Sequence, residues 1–260
     1  MQPEYIEDPV AAYGRLAAQY GELSRRREPY LRSVERQILA RVPAGARSLL
    51  DVGAGDGTRT SRIAEAGGIK RVVLIEPCHE LVAGASPQFE VWPIRAEDLF
   101  DGVDAADRSD SEHFDVVTCL WNVSGHIAAE KRPRALTAIA KLLSPSGKFF
   151  LDVNHRYNLR SYGIIPTALR YLHDQLFWTT RNGDVTARWK TAADTVSTYG
   201  HVFIHREVMR LAHSAGLELE SRMVIDYEDG RVRRFSCLGN LLYVFRRSSR
   251  IDSSSAPQTS

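Results

Sequence analysis

The chain has 260 residues, of which 43% are apolar, with 34 lysines and arginines against 32 aspartates and glutamates. Such a length holds one α/β domain, with or without an insertion, and the near-balance of charge gives no argument for a nucleic-acid or anionic-membrane partner. Cys78, Cys119 and Cys237 form no CxxC pair, so reduced thiols are expected and a metal site is not. No apolar run approaches the ~20 residues that span a bilayer. Met1-Gln2-Pro3-Glu4 shows no basic segment leading into an apolar run, which makes a cytoplasmic protein the expectation.

Apolar residues at helical spacing over 9–42 (Ala12, Leu16, Tyr20, Leu23, then Leu31, Val34, Ile38, Leu39) predict two helices broken near Arg27-Glu28-Pro29. Pro43-Ala44-Gly45 predicts a turn, 48–52 a first strand, and 58–66 a helix stopped by Gly67-Gly68. The continuous apolar run 71–75 predicts a strand buried on both faces, ending at Glu76-Pro77. A short helix over 78–83 and a short strand over 89–92 follow. Residues 101–113, rich in Asp and Ser, predict a solvated loop in preference to an acidic metal site. Strands over 114–120 and 148–153 flank a helix over 129–143 that stops at Ser144-Pro145-Ser146-Gly147. Strands alternating with helices imply a doubly wound, mostly parallel sheet.

The rhythm breaks over 155–200, which is aromatic and irregular (Tyr157, Tyr162, Tyr171, Phe177, Trp178, Trp189, Tyr199). This segment reads as an insertion or cap over the carboxyl ends of the strands, where such sheets bind ligands, or else as extra core. A helix over 206–215 and strands over 217–225 and 240–245 complete the sheet. Arg231, Arg233 and Arg234 read as a solvated basic face, and the Ser-rich residues 248–260 as a disordered tail.

The first strand runs into Asp51-Val52-Gly53-Ala54-Gly55-Asp56-Gly57-Thr58. Glycines there let a ligand approach the backbone, and the helix behind offers unpaired N–H groups. Dinucleotide enzymes place a third glycine where this chain has Thr58. The D-x-G-x-G-x-G loop instead resembles motif I of the class I S-adenosylmethionine-dependent methyltransferases. Glu76, at the end of the second strand, is placed to accept two ribose hydroxyls. Arg95-Ala96-Glu97-Asp98-Leu99 resembles the family segment that touches adenine, with Arg95 where many members have Asp. Phe114-Asp115-Val116-Val117 and Leu143-Ser144-Pro145-Ser146-Gly147 resemble its later elements.

The resemblance covers about residues 10–155. It implies an α/β, Rossmann-like, seven-stranded sheet with an aromatic substrate-side cap, and S-adenosyl-L-methionine as cofactor. It implies cofactor contacts from Tyr20, Asp51, Gly53, Ala54, Gly55, Glu76, Pro77, Ala96, Glu97 and Leu120. The N-terminal helices (1–42) would cover the cofactor and 43–247 would form the catalytic domain, with the cap at about 155–200. Ala12 to Tyr20 resembles the Y-x-x-x-A-x-x-Y helix of many relatives, which leaves Tyr20 either a cofactor cover or core.

Cys119-Leu120-Trp121-Asn122-Val123-Ser124-Gly125-His126 and Asn154-His155-Arg156-Tyr157-Asn158 further resemble segments of glycine and sarcosine N-methyltransferases. That match makes Arg156 a candidate carboxylate clamp or a surface ion pair, and Asn122 a candidate substrate hydrogen-bonder. Tyr157 falls on the substrate side and His155 reads as structural. His126 is a candidate general base or substrate anchor, or a helix-entry histidine. Trp121 stands where that family has glycine, so a larger, flatter acceptor than glycine is expected.

The expected activity is methyl transfer to a small molecule, nitrogen before oxygen. The alternatives are a nicotinamide oxidoreductase and a catalytically silent methyltransferase-like subunit. No [DNS]PP[YFW] signature follows the fourth strand, so a nucleic-acid substrate is not expected; the oligomeric state stays open.

Overall fold

A computed structural model describes residues 6–99, 113–191 and 194–248. Apart from His113 and Ser248, the predicted acidic loop and Ser-rich tail lie outside the described residues. The strands are β1 (Ser48–Val52), β2 (Arg71–Ile75), β3 (Glu90–Trp92), β4 (Phe114–Cys119), β5 (Leu143–Val153), β6 (Asp184–Lys190), β7 (Thr195–His201), β8 (Leu217–Ile225), β9 (Val232–Arg233) and β10 (Asn240–Arg247). The helices are α1 (Pro9–Arg25), α2 (Glu28–Leu39), α3 (Thr58–Gly67), α4 (His79–Val82), α5 (Arg132–Leu142), α6 (Leu159–Tyr162), α7 (Ile164–Leu176) and α8 (His205–Ser214).

Eight strands form the central sheet in the order β3-β2-β1-β4-β5-β10-β8-β9. The first five are mutually parallel, and β10 runs antiparallel between β5 and β8. The eighth strand, beyond the seven expected, is the two-residue β9, which pairs with the end of β8. It occupies the segment read as a basic face. There Arg233 donates to Asp226 at 2.7 and 3.1 Å, which folds the hairpin back on itself.

Neighbouring strand residues face opposite sides, so apolar runs are buried twice over. Leu49, Leu74, Val116 and Phe150 pack against Tyr30, Val34 and Ile38 of α2 and Ile63 of α3. Leu50, Val73, Val117 and Phe149 pack against Leu136 and Ile139 of α5 and Val208 and Ala212 of α8. The sheet is therefore doubly wound as predicted. The strand after α5 starts at Leu143 rather than Lys148, because Ser144 to Gly147 forms an irregularity in the β4–β5 pairing rather than a free turn.

The 155–200 segment is more regular than its sequence suggests. It holds α6, α7 and a separate antiparallel ribbon of β6 and β7. Of its aromatic residues, Trp189 of β6 lines a cavity, whereas Tyr171 and Phe177 are exposed on and beside α7. The ribbon is tied to the N-terminus, where Glu7 N–H donates to Ser197 O at 2.8 Å and Thr198 Oγ1 donates to Glu7 O at 2.7 Å. No helix among the described residues is long and apolar enough to cross a membrane.

Candidate cofactor and substrate site

The loop after β1 needs its glycines for two reasons. Gly53 (φ 72°) and Gly55 (φ 61°) lie in the left-handed region. A Cβ on Gly53 would also stand 2.5 Å from both Val123 methyls, and one on Gly55 2.6 Å from the Tyr20 hydroxyl. Ala54 stays in register because its N–H donates to Ile75 O at 3.2 Å. Glu76 fixes the loop from the end of β2. It accepts the Gly55 N–H at 2.9 Å through one oxygen and the Cys78 N–H at 3.0 Å through the other. Burial raises the Glu76 pKa above the usual carboxyl range, and these two donors pull against that.

Asp51 does not reach the cavity wall. It is 1% exposed and accepts hydroxyl hydrogen bonds from Thr118 at 2.7 Å and from Thr60. Both of its oxygens thus brace β1 against β4 and α3, and its expected direct contact with the cofactor is corrected to a supporting role beneath the loop. Ala54 likewise faces a neighbouring cavity shared with α1 and α2, not the one bounded by Glu76.

The main cavity, with about 740 Å³ of atom-free space including its mouth, lies over the carboxyl ends of β1, β2 and β4. Gly53, Gly55, Glu76, Pro77, Ala96, Glu97 and Leu120 line it, together with Tyr13 and Tyr20 of α1. Arg95 also lines the cavity and donates to Asp8 at 2.8 Å, which fastens the start of α1 at the cavity's edge. Arg59, in the first turn of α3, also lines this cavity. Nothing in the sequence singled it out, since an arginine early in an amphipathic helix ordinarily faces water. Here it is only 8% exposed, and its Nε and Nη1 atoms have no hydrogen-bond partner.

A second cavity adjoins the first and shares Tyr13, Tyr20, Trp121 and His126 with it. Its remaining wall comes from Asn122, Asn154 and Tyr227 and from Val185, Ala187 and Trp189 of the ribbon. Trp121 and Asn122 both have positive φ, 57° and 63°. Two such residues in sequence are strained unless their surroundings hold them. Asp152, at the end of β5, does so. It accepts the Trp121 N–H at 3.0 Å and the Tyr30 hydroxyl at 2.5 Å, while its carbonyl accepts the Asn122 N–H at 3.1 Å. The Asn122 side chain donates to His201 O at 3.0 Å and accepts from Asn154 N at 3.0 Å. Its polar atoms therefore join β5 to β7, and the expected substrate hydrogen bond is replaced by a structural one.

His126 is oriented by its neighbours. Its Nδ1 lies 2.8 Å from Tyr199 O, which can only accept, so Nδ1 carries the proton. Nε2 is then an acceptor, 3.1 Å from the Tyr13 hydroxyl that donates to it. Burial lowers the His126 pKa, against the opposing Tyr199 hydrogen bond, so the ring is neutral at pH 7. Burial likewise raises the pKa of Tyr13 and of Tyr20, which keeps both hydroxyls protonated. Tyr13 packs on Trp189 with centroids 5.5 Å apart, and Tyr20 on Trp121 at 5.8 Å.

Arg156 and Tyr157 lie outside both cavities. Arg156 is 7% exposed and donates to Asp174 of α7 at 2.5 and 3.0 Å; the Tyr157 hydroxyl donates to the same carboxylate at 2.8 Å. Burial pushes the Asp174 pKa up, but Arg156, Tyr157 and Asn182 outweigh it and hold the group at about 2. The pair is a buried, bidentate fastening of α7 to the end of β5, and the carboxylate-clamp expectation is corrected accordingly. His155 donates from Nδ1 to Ser236 O at 2.8 Å, in keeping with its structural reading. Among the described residues, no group of three or more His, Cys, Asp or Glu is placed to hold a metal ion.

The sequence matches a family model described as a methyltransferase domain over residues 23–222. A search of curated proteins finds no match. Several solved structures share the fold. An S-adenosylmethionine-dependent methyltransferase from Clostridium acetobutylicum ATCC 824 is 12% identical with a TM-score of 0.59, over 91% of this chain and 99% of that one. DesVI of Streptomyces venezuelae is 14% identical with a TM-score of 0.56, over 94% of this chain and 100% of that one. The sugar N-methyltransferase KedS8 from Streptoalloteichus sp ATCC 53650 is 18% identical with a TM-score of 0.55, over 88% of this chain and 93% of that one. The glycine loop and the Glu76 carboxylate face one cavity, and the family model covers most of the sheet that builds it. The chain belongs to the methyltransferase-domain family, and it is an enzyme that uses S-adenosyl-L-methionine as its cofactor.

Proposed function

We propose that the enzyme methylates the nitrogen of a small-molecule amine held in the second cavity. The observation that carries this reading is the junction of the two cavities at Tyr13, Tyr20, Trp121 and His126. Tyr20, Gly53, Gly55, Glu76, Pro77, Ala96, Glu97 and Leu120 hold the cofactor in the first cavity, with the N-terminal helices as its cover. The Glu76 oxygens, already accepting loop N–H groups, each keep acceptor capacity for a ribose hydroxyl. The ribbon of β6 and β7 covers the acceptor.

S-adenosyl-L-methionine supplies a methyl group on a sulfonium, open to in-line attack by a nucleophile. The protein's own contribution is to bring donor and acceptor together, worth up to roughly 7–11 kcal/mol where the alignment is good. The Trp121, Tyr13 and Trp189 rings can accommodate an ammonium over their faces. Before attack that ammonium must lose a proton, and the neutral Nε2 of His126 is the acceptor, directly or through the Tyr13 hydroxyl.

Among the described residues, no charged side chain lines the second cavity. With Arg156 bound to Asp174, a free amino acid would find no counter-ion for its carboxylate there. This argues for an uncharged or aromatic body around the amine, and against glycine or sarcosine. That KedS8, which shares the fold, is a sugar N-methyltransferase is consistent with an amine acceptor.

The test is a tritiated-methyl transfer screen over small amines, amino sugars, amino acids and phenols, with products identified by mass. Label in an N-methyl product is the expected result. Label confined to hydroxyl products would overturn the nitrogen reading and leave His126 as base for O-methylation.

A further inference from the structure

A surface helix ordinarily turns its apolar stripe to the core and its polar side to water. In α7 the two are exchanged. Thr167 and Asp174 are buried on its inner side, where Arg156, Tyr157 and Asn182 hold Asp174, and Arg170 lies over the Tyr162 ring at 4.4 Å. The outer side carries Ile164, Ile165, Leu169, Leu172 and Leu176, and Phe177 follows directly; these six are 58–73% exposed. They present roughly 800 Å² of apolar side chain, against the roughly 300–600 Å² of the largest such patch on a typical monomer.

No apolar run in residues 1–5, 100–112 or 249–260 could cover this face. A helix that lies on a membrane is rich in lysine and arginine along its polar side, whereas α7 has no lysine and its one arginine is Arg170.

The order of the exposed residues fits a second copy of the chain. Ile165, Leu169, Leu172 and Leu176 are spaced four, three and four apart, the alternation by which two helices interlock. The pattern also reads the same in both directions from the midpoint between Arg170 and Tyr171. Laid antiparallel on a copy of itself, α7 sets Leu169 against Leu172, Ile165 against Leu176 and Ile164 against Phe177, each twice around the two-fold axis. Ala168 falls opposite His173. The one acid of the helix, Asp174, faces inward, so pairing brings no carboxylates together. A two-fold interface needs this self-complementarity, because the same patch serves both sides. The exposed area also matches the roughly 800 Å² that each partner buries in an interface of standard size.

We propose that two copies of the enzyme pair through α7, antiparallel about a two-fold axis at the middle of the helix.

Sedimentation velocity tests this on the full chain, from nanomolar to tens of micromolar. The wild type should pass from monomer to dimer within that range. Leu169→Lys and Leu172→Glu each change an exposed side chain outside both cavities, so both variants should stay folded and bind S-adenosylhomocysteine as the wild type does. Each alone should weaken the dimer by roughly 100-fold, since every pair then buries two unmatched charges. An equimolar mixture of the two variants should regain the dimer. In the mixed pair the new lysine faces the new glutamate, and the remaining Leu172 faces the remaining Leu169. A wild type that stays monomeric at tens of micromolar overturns the proposal, and if it then binds lipid vesicles the face is a membrane contact instead. A dimer that either variant leaves intact uses another surface, which also overturns it. A mixture that fails to regain the dimer overturns the antiparallel pairing.

Discussion

Tyr13 and His126 share one hydrogen bond, and its polarity sets what each can do. Because Nδ1 is committed to the Tyr199 carbonyl, the lone pair on Nε2 is the only basic site of the ring. His126→Ala is expected to lower kcat/KM at pH 7 by about 10²–10⁴-fold, the usual range for a general base. The loss should shrink toward pH 10, where the amine is already neutral; an undiminished loss in a pH–rate profile would show that His126 is not the base. The acid limb of the wild-type profile carries a second reading. A base works only when unprotonated, and burial lowers the pKa of His126 below 6.5. Activity should therefore persist as pH falls through 6.5 and fail only below it. At this scale the sequence was informative where spacing sets the local geometry: Gly53, Gly55 and Glu76 come together at one cavity. It was silent on Arg59 and left Arg156 open between a carboxylate clamp and an ion pair, because an arginine's partner is set by tertiary packing. Asp174 is far from Arg156 along the chain and touches it only because α7 folds back.

Trp121 and Asn122 link the strands to the site through two consecutive left-handed residues. That conformation costs an ordinary side chain about 1–2 kcal/mol, and asparagine or glycine less. Asn122→Ala gives up both the tolerance and the bonds to His201 and Asn154. Asn122→Gly gives up only the bonds, so in urea denaturation it should be the more stable of the two by about 1 kcal/mol. Equal stabilities would mean that the backbone relaxes out of the left-handed region when the side chain is removed. Nearly every element of the parallel sheet was legible, because unbroken apolar strands and amphipathic helices leave strong periodic signals. The ribbon and α7 were not. β6 is nowhere fully buried, and α7 turns Ile164, Ile165, Leu169, Leu172 and Leu176 outward. Apolar periodicity therefore did not mark a core there.

The whole molecule depends on a buried charge cluster to keep the ribbon against the sheet. Arg132 of α5 donates to Tyr199 Oη at 2.8 Å and to Ile127 O at 3.0 Å, and lies 3.5 Å from Glu207 of α8. His201, fully buried, bridges Asp184 at 2.7 Å and Glu207 at 3.0 Å. Arg132→Met leaves Glu207 without its arginine, which typically costs about 3–5 kcal/mol for a buried pair. In the variant that still folds, acceptor KM should rise by a larger factor than the dissociation constant of S-adenosylhomocysteine, since the ribbon walls the second cavity directly and bears on the first through α1 and His126. A parallel loss of both would place the cluster under the cofactor as well.

The hydrogen bonds between Glu7 and β7 have a kinetic consequence. They make α1 and the ribbon one mechanical unit, and Tyr13 and Tyr20 of α1 wall both cavities. A ligand in either cavity rests on the α1 face that also bounds the other, so ordered loading is the expected outcome. The cofactor should add first and its demethylated product leave last. In initial-rate studies S-adenosylhomocysteine should then compete with S-adenosylmethionine and act as a noncompetitive inhibitor toward the acceptor, whereas rapid-equilibrium random addition would give competitive inhibition against the cofactor with no compulsory sequence in isotope exchange.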